Sequence, residues 1–343
     1  MYIAGPSVCF KLVNKKNHEI ILFGEYHNDL KNQNECHISS ENLRIDQFLK
    51  KEFSKNKKCG FYLEITRNMI EKYNKREYKT DTKPYMHLLR ALFADNSKFD
   101  KKTKKIIQSE NFPNVMFHYT DIRLDITDYH HFIYYNNFYI TEIKFELLEL
   151  KDKFVSFINS FKKSKCFTKI KSGYADKNLY SIINNLLTEI EKYIDSFIIL
   201  FNKKIQKCSK LETFYQKHKL QLSSHKLEKL YSRMMRIYTK INNKITIITL
   251  LINDLYLLKR LLDKKYNTEV DYIYNGCWHT VNIVLFLLKY TDYKLIYCSG
   301  NKDYILDNYQ KYEPLWVIKN IDTITNSILG YTEYDGMQQC VKI

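Results

Sequence analysis

The chain has 343 residues, 45% of them hydrophobic, which fits one large globular domain or two smaller ones and excludes wholesale disorder. It carries 55 Lys and Arg against 38 Asp and Glu, a net charge of +17, and no window of about 18 uncharged apolar residues, so no membrane-spanning helix is expected. Scarce Gly and Pro with abundant Lys, Asn, Ile and Tyr look like AT-rich coding, as in some large DNA viruses, protists and bacteria, and are silent on mechanism.

In chain order, Val8–Val13 and Glu19–Phe23 read as strands joined by the polar turn Asn14-Lys15-Lys16-Asn17. Ser39 or Ser40 can cap a helix running to about Phe53, with Leu43, Phe48 and Leu49 on its apolar face. Cys59–Ile65 is a strand, Thr66 can cap the helix that follows, and Pro84 suits the start of a helix carrying Met86, Leu89 and Phe93. Val115–Tyr119 is a further strand. From about residue 132 to 263 the spacing turns helical, and from Tyr231 to Leu255 apolar residues step by 3 and 4 in alternation. Such a seam suits antiparallel packing within one chain. Strands return at Val270–Asn275, Tyr293–Ser299 and Leu315–Lys319, with an apolar helix at Val281–Leu288. The expected fold is α/β: a mostly parallel central sheet flanked by helices, its core formed by 1–131 and 268–343, with a helical insertion at 132–267.

The opening MYIAGPSVCFKLVNKK lacks a basic stretch followed by an apolar one, so no secretory signal is expected. Eight scattered cysteines without C-x-x-C spacing give no zinc knuckle or thioredoxin motif and suit a reduced intracellular protein, or a virion component if the source is viral. The charge is localised: residues 151–268 hold 25 Lys and Arg against 9 Asp and Glu, and the remainder 30 against 29. A solvated, Lys-rich helical surface is one reading; an anionic partner such as nucleic acid, an acidic protein or a phospholipid surface is the other.

Candidate functional residues gather at strand ends. Glu25 and His27 follow the strand ending at Phe23, within GEYH; Glu64 lies near the end of CGFYLEI; Asp121 and Arg123 follow VMFHYT; His279 follows the strand ending at Tyr274, within GCWH. Ligands of open parallel sheets bind outside the carboxyl ends of the strands. A Gly at each strand end can turn the backbone sharply and leave room for a substrate. A carboxylate such as Glu64 in an apolar strand needs a partner, and an ion pair with Arg123, or an Arg123–Asp121 pair, would supply order without chemistry. Asp125, Asp128, His130 and His131 read as loop or cap residues.

ILFGEYHND, then FYLEI, and much later YIYNGCWHTVNIVLFLL resemble the superfamily that includes ChaN-like proteins, TIKI/TraB proteins and erythromycin esterases. The resemblance covers about 18–123 and 268–300. It implies an α/β core with an early G-x-x-H, a glutamate at the end of the next core strand and a late G-x-x-H, and so carries over Glu25, His27, Glu64 and His279. Asp121 and Arg123 rest on the strand-end reading. Relatives often have a small residue just before the late His, where this chain has Trp278, a bulky ring able to narrow the pocket or stack on a substrate. The superfamily spans metal-dependent proteases, metal-independent esterases and a haem-binding lipoprotein, so fold alone does not choose the chemistry.

The expected function is hydrolysis of an ester or peptide bond. Without a metal, His27 would activate water, Glu25 or Glu64 would orient the His27 imidazole, and His279 and Arg123 would stabilise negative charge. With a metal, His27, His279, Glu25 and Glu64 would hold Zn²⁺ or Mn²⁺. No Gly-x-Ser-x-Gly elbow is present, and Cys277, beside His279, is the alternative nucleophile. The other reading is a binding or structural protein that keeps the fold, has lost activity at Trp278, and uses its basic helical segment for an anionic partner.

Overall fold

The computed structural model describes residues 2–25, 42–75, 85–100, 102–103, 105–108, 110–126, 139–174, 176–263, 267–330 and 340–342. It begins with strands β1 (Tyr2–Ala4), β2 (Val8–Val13), β3 (Glu19–Glu25) and β4 (Leu43–Arg44), then α1 (Ile45–Phe53) and β5 (Cys59–Leu63). Helices α2 (Arg67–Asn74) and α3 (Tyr85–Asp95), strands β6 (Ser97–Asp100), β7 (Lys105–Gln108) and β8 (Val115–Tyr119), and the short α4 (Arg123–Ile126) complete the first part. The helical stretch comprises α5 (Ile143–Lys163), α6 (Lys165–Ile170), α7 (Lys177–His218) and α8 (Ser224–Leu262). The chain closes with β9 (Val270–Gly276), α9 (Cys277–Tyr290), β10 (Lys294–Cys298), α10 (Lys302–Asn308), α11 (Pro314–Leu329) and β11 (Cys340–Lys342).

Six strands form the main sheet in the order β10-β2-β3-β9-β5-β8. β3, β9, β5 and β8 pair in parallel, while β2 runs against both of its neighbours, so the sheet is mixed and mostly parallel. β9 enters between β3 and β5, two strands laid down some 200 residues earlier. Its residues Val270–Asn275 are all buried, as a central strand covered on both faces requires.

The two faces carry separate cores. On one, Phe23, Phe61, Phe117 and Tyr274 pack beneath α1, α2 and α3. Ring centroids 5.3 Å apart for Phe53–Phe61 and 5.4 Å for Phe93–Phe117 add about 0.5–1.5 kcal/mol per pair beyond area burial. On the other face, Phe10, Leu22, Tyr62 and Ile273 share one continuous core with α5, α7, α8, α9 and α11. α9 is buried on almost every side from Val281 to Leu287, which explains why its run shows no polar face. The Tyr231–Leu255 seam lies in α8 and packs within the chain against α7 and α5.

Several elements differ from expectation. α1 starts at Ile45, with Gln47 accepting the Arg44 backbone N–H at 3.1 Å, so Leu43 belongs to β4. Ser39, Ser40 and Pro84 lie outside the described residues. Thr66 does cap α2, accepting from the Met69 N–H at 3.3 Å. The expected strand at Leu315–Lys319 is part of α11, which begins at Pro314. A run this short has no readable period, whereas buried Val317, Ile321, Ile324 and Ile328 recur at helical spacing. Cys9, Cys59, Cys166, Cys208, Cys277 and Cys298 are free thiols, but Cys340 is disulfide-bonded. Among the described residues no helix is long and apolar enough to cross a membrane.

Gly24 holds α9 against β3. A Cβ there would stand 2.8 Å from Val8 Cγ1 and 3.2 Å from both Cys277 Cα and Thr280 Cβ. Close approach of helix and strand, rather than a sharp turn, is what this Gly supplies. Gly24→Ala is therefore expected to lower unfolding stability by about 1–3 kcal/mol, the usual cost of overpacking. Chemical denaturation checks this, and an unchanged midpoint would contradict it.

Candidate functional site

The register of β9 brings the two Gly-x-x-His frames together. Gly24 pairs with Asn275, and Glu25 with Gly276. On the other side Leu63 pairs with Tyr274, and the Glu64 N–H continues the ladder to the Tyr274 carbonyl at 3.2 Å. β8 ends at the same level, where the Thr120 N–H reaches the Leu63 carbonyl at 3.0 Å. Four parallel strands thus finish at one edge, and side-chain alternation decides which face each polar residue occupies.

Glu64 and Thr120 follow Tyr62 and His118 on the face covered by α8 and α9, and Asn275 follows Ile273 there. Glu25 follows Phe23 on the opposite face, where its carboxylate accepts a hydrogen bond from the buried Tyr274 hydroxyl. The strand period therefore separates Glu25 from Glu64, although their strand ends are level.

Glu64 is 8% exposed and lies across the start of α9, its Oε2 accepting the Gly276 N–H at 2.9 Å. A carboxylate at a helix N-terminus gains typically 0.3–1 kcal/mol from the dipole, more when partly buried. Its Oε1 stands 3.8 Å from His279 Nε2 and 3.8 Å from an Arg123 Nη2. Arg123 makes a forked pair with Asp121, Nε to Oδ1 at 2.9 Å and Nη2 to Oδ2 at 2.7 Å. Burial opposes the Arg123 charge, but Asp121 and Glu64 more than offset it and hold the guanidinium protonated.

His279 sits in the first turn of α9 and is 5% exposed. Its Nδ1 is hydrogen-bonded to Oδ1 of Asp254, a residue of α8 that is 3% exposed. Asn282, one turn further along α9, donates to the other Asp254 oxygen. His279 Nε2 is buried and has no hydrogen-bond partner among the described residues. Burial disfavours the imidazolium, yet Asp254, Glu64 and the Asp254 hydrogen bond together raise the His279 pKa above its ordinary 6.5. Burial likewise pushes the Asp254 carboxyl up, against the pull of His279 and Asn282.

A narrow crevice here is walled by Glu64, Thr120, Asp121, Asn253, Asp254, Leu257, Asn275 and His279. It is constricted to the point that no water-sized sphere fits inside, so a substrate enters only if side chains part. Larger clefts exist: two are open surface features on α5 and α7, and one of about 790 Å³ lies near the starts of β3 and β9, lined by His18, Tyr62, Arg260, Thr268 and Tyr293; none shares a lining residue with this crevice. Asn253 contributes an amide with neither atom hydrogen-bonded among the described residues.

The structure thus brings Glu64, Asp121, Arg123 and His279 together, and places Glu25 on the other side of the sheet. His27, Asp128, His130 and His131 lie outside the described residues, as does the Asp125 side chain. Among the described residues no three His, Cys, Asp or Glu side chains form a metal-ligand set, and the proposed Zn²⁺ or Mn²⁺ site would require His27. The described donors do not by themselves fit an ion. Burial, with Glu25 nearby, pushes the Cys277 thiol far up, which makes it an inert core residue rather than a nucleophile. Trp278 packs against the helical core and does not wall the cavity.

Sequence reasoning missed Asp254 and Asn253. Their signal was two adjacent polar residues inside the otherwise apolar stretch Ile245–Leu258, where an unpaired carboxylate would be costly.

The pair has a pH signature. A His whose pKa is raised by folding stabilises the fold fully below its ordinary value and loses that contribution as pH climbs through the raised one. NMR titration of the His279 imidazole should give a midpoint above 6.5, and a lower one in Glu64→Gln, which removes a carboxylate facing Nε2. Identical midpoints would contradict this electrostatic picture.

In sequence the chain is similar to two proteins of Acanthamoeba polyphaga mimivirus. It is 24% identical to "Uncharacterized protein R161" over 88% of each chain, and 26% identical to "Uncharacterized protein R706" over 82% of each. No family model and no solved structure matches it.

Proposed function

We propose that the protein is a hydrolase of ester or peptide bonds, as its resemblance to the ChaN-like, TIKI/TraB and erythromycin esterase superfamily implies, working at the carboxyl ends of the core strands. One observation carries the reading: a buried imidazole bound at Nδ1 to a buried carboxylate, with Nε2 lacking a hydrogen-bond partner among the described residues and facing a polar crevice that admits water when its side chains part. Structural histidines usually satisfy both nitrogens, whereas a base needs one held and one free.

In this mechanism His279 Nε2 takes a proton from water as the water oxygen attacks the carbonyl carbon. Asp254 fixes the tautomer and stabilises the resulting imidazolium. The Arg123 guanidinium and the Asn253 amide offer donors for the oxyanion of the tetrahedral intermediate. Collapse of that intermediate breaks the bond to the leaving oxygen or nitrogen, which receives the proton from Nε2. Glu64, tied to the α9 N-terminus, keeps His279 basic and Arg123 in place.

The test is turnover of p-nitrophenyl butyrate and of a fluorogenic casein substrate by wild type, His279→Ala and Arg123→Gln, with melting temperatures measured alongside. His279→Ala should lose about 10²–10⁴-fold in kcat while staying folded, the range for a general base. Arg123→Gln should lose less. Unchanged turnover in folded His279→Ala, or no turnover of either probe by wild type, would overturn the proposal.

A further inference from the structure

The positive charge is concentrated beyond the core. α7 and α8 have 42 and 39 residues, about 63 and 58 Å at 1.5 Å per residue, and are joined by a short link as a hairpin. No α7 residue after Cys208 is buried, and no α8 residue before Leu230. Between residues 203 and 240 the sequence holds eleven Lys and Arg against two Glu, and ten of the eleven are exposed.

The cations are ordered along the helices. On α8, Lys226, Lys229, Arg233, Arg236 and Lys240 alternate steps of 3 and 4, forming one stripe beside the buried Leu230, Met234 and Ile237. On α7, Lys203, Lys207, Lys210 and Lys217 fall on a second stripe, with exposed Phe214 filling the gap. Nearer the core some lysines of the helical stretch are paired, Lys144 with Glu212, Lys153 with Glu149 and Lys162 with Glu191. The stripe cations make no ion pair among the described residues. Like charges three or four residues apart destabilise a helix by about 0.2–0.5 kcal/mol per pair, so each stripe opposes the helix that carries it. Biased coding does not explain this, since residues outside 151–268 balance 30 basic against 29 acidic.

The geometry selects among anionic partners. A lipid surface is bound by an amphipathic helix whose apolar face is free, whereas the apolar stripe of α8 is already buried. A protein interface needs an apolar, aromatic centre, and in the distal hairpin only Phe214 and Leu220 of the large hydrophobics are exposed, the rest being half-buried or buried. A five-cation stripe about 21 Å long instead matches the regular charge of a nucleic-acid duplex, one phosphate per ~1.7 Å of axis. We propose that the distal α7–α8 hairpin binds the phosphate backbone of double-stranded DNA, independently of the chemistry at His279.

The experiment uses the full chain and a fluorescent 24-base-pair duplex of mixed sequence, read by anisotropy at 50 and 200 mM salt. Wild type should bind at the lower salt and weaken by about 10²-fold or more at the higher. The variant Lys226→Glu, Arg233→Glu, Arg236→Glu, Lys240→Glu should lose binding by more than about 100-fold. A control with the same net charge, Lys50→Glu, Lys51→Glu, Lys57→Glu, Lys98→Glu, should retain it. Circular dichroism confirms folding, and the corresponding four Gln substitutions serve if the Glu variant unfolds. Absence of binding at 50 mM salt, equal losses in both charge-reversed variants, or tighter binding to phosphatidylserine vesicles than to the duplex would each overturn the proposal.

Discussion

The site depends on one pairing: β9 inserted between β3 and β5. Parallel pairing in this register sets Gly24 beside Asn275 and Leu63 beside Tyr274, so segments separated by most of the chain end at the same edge. α9 starts directly after Gly276 and must cross β3 at once, which is possible because Gly24 has no side chain. That crossing places His279 over Glu64. A one-residue slip of β9 would turn Asn275 to the opposite face and misplace the start of α9.

The second constraint is the burial of charge. Glu64, Asp121, Asp254 and His279 are all less than 9% exposed, and ionised groups in such surroundings are tolerated only when paired. Each carboxylate has its partner: the α9 N-terminus and Arg123 for Glu64, Arg123 for Asp121, and His279 with Asn282 for Asp254. α8 is fixed over the sheet at a second point, where Arg260 contacts His118 Nδ1 at 2.8 Å. The helical stretch therefore does two things. Its inner half completes the site with Asp254 and Asn253, and its outer half carries the charge.

Much of this was legible in the sequence. The strands at Val8, Glu19, Cys59, Val115, Val270 and Tyr293 announced themselves by β-branched and aromatic runs bounded by polar turns, and the long helices by their 3–4 spacing. Of the residues nominated from strand ends, Glu64, Asp121, Arg123 and His279 lie side by side. Alternation along β3 should have warned that Glu25 points with Phe23, away from the face that Tyr62 and Glu64 share. The apolar run around Asp254 signalled that its carboxylate needs a partner, but the partner was not legible, because it comes from the docking of α8 on α9 and no local pattern encodes which helix covers which strand end. Gly24 was misjudged for the same reason: its constraint is a steric contact with α9, a tertiary fact, rather than a backbone turn.

In the proposed mechanism His279 presents an unprotonated Nε2 to the crevice while Asp254 holds the proton on Nδ1. The most direct test is the ¹⁵N chemical shifts of the His279 ring above its titration, assigned by their loss in His279→Gln. A neutral imidazole protonated at Nδ1, with Nε2 at the shift of an unprotonated nitrogen, is the expected result. A proton on Nε2 and a bare Nδ1 would contradict the assignment of His279 as the base.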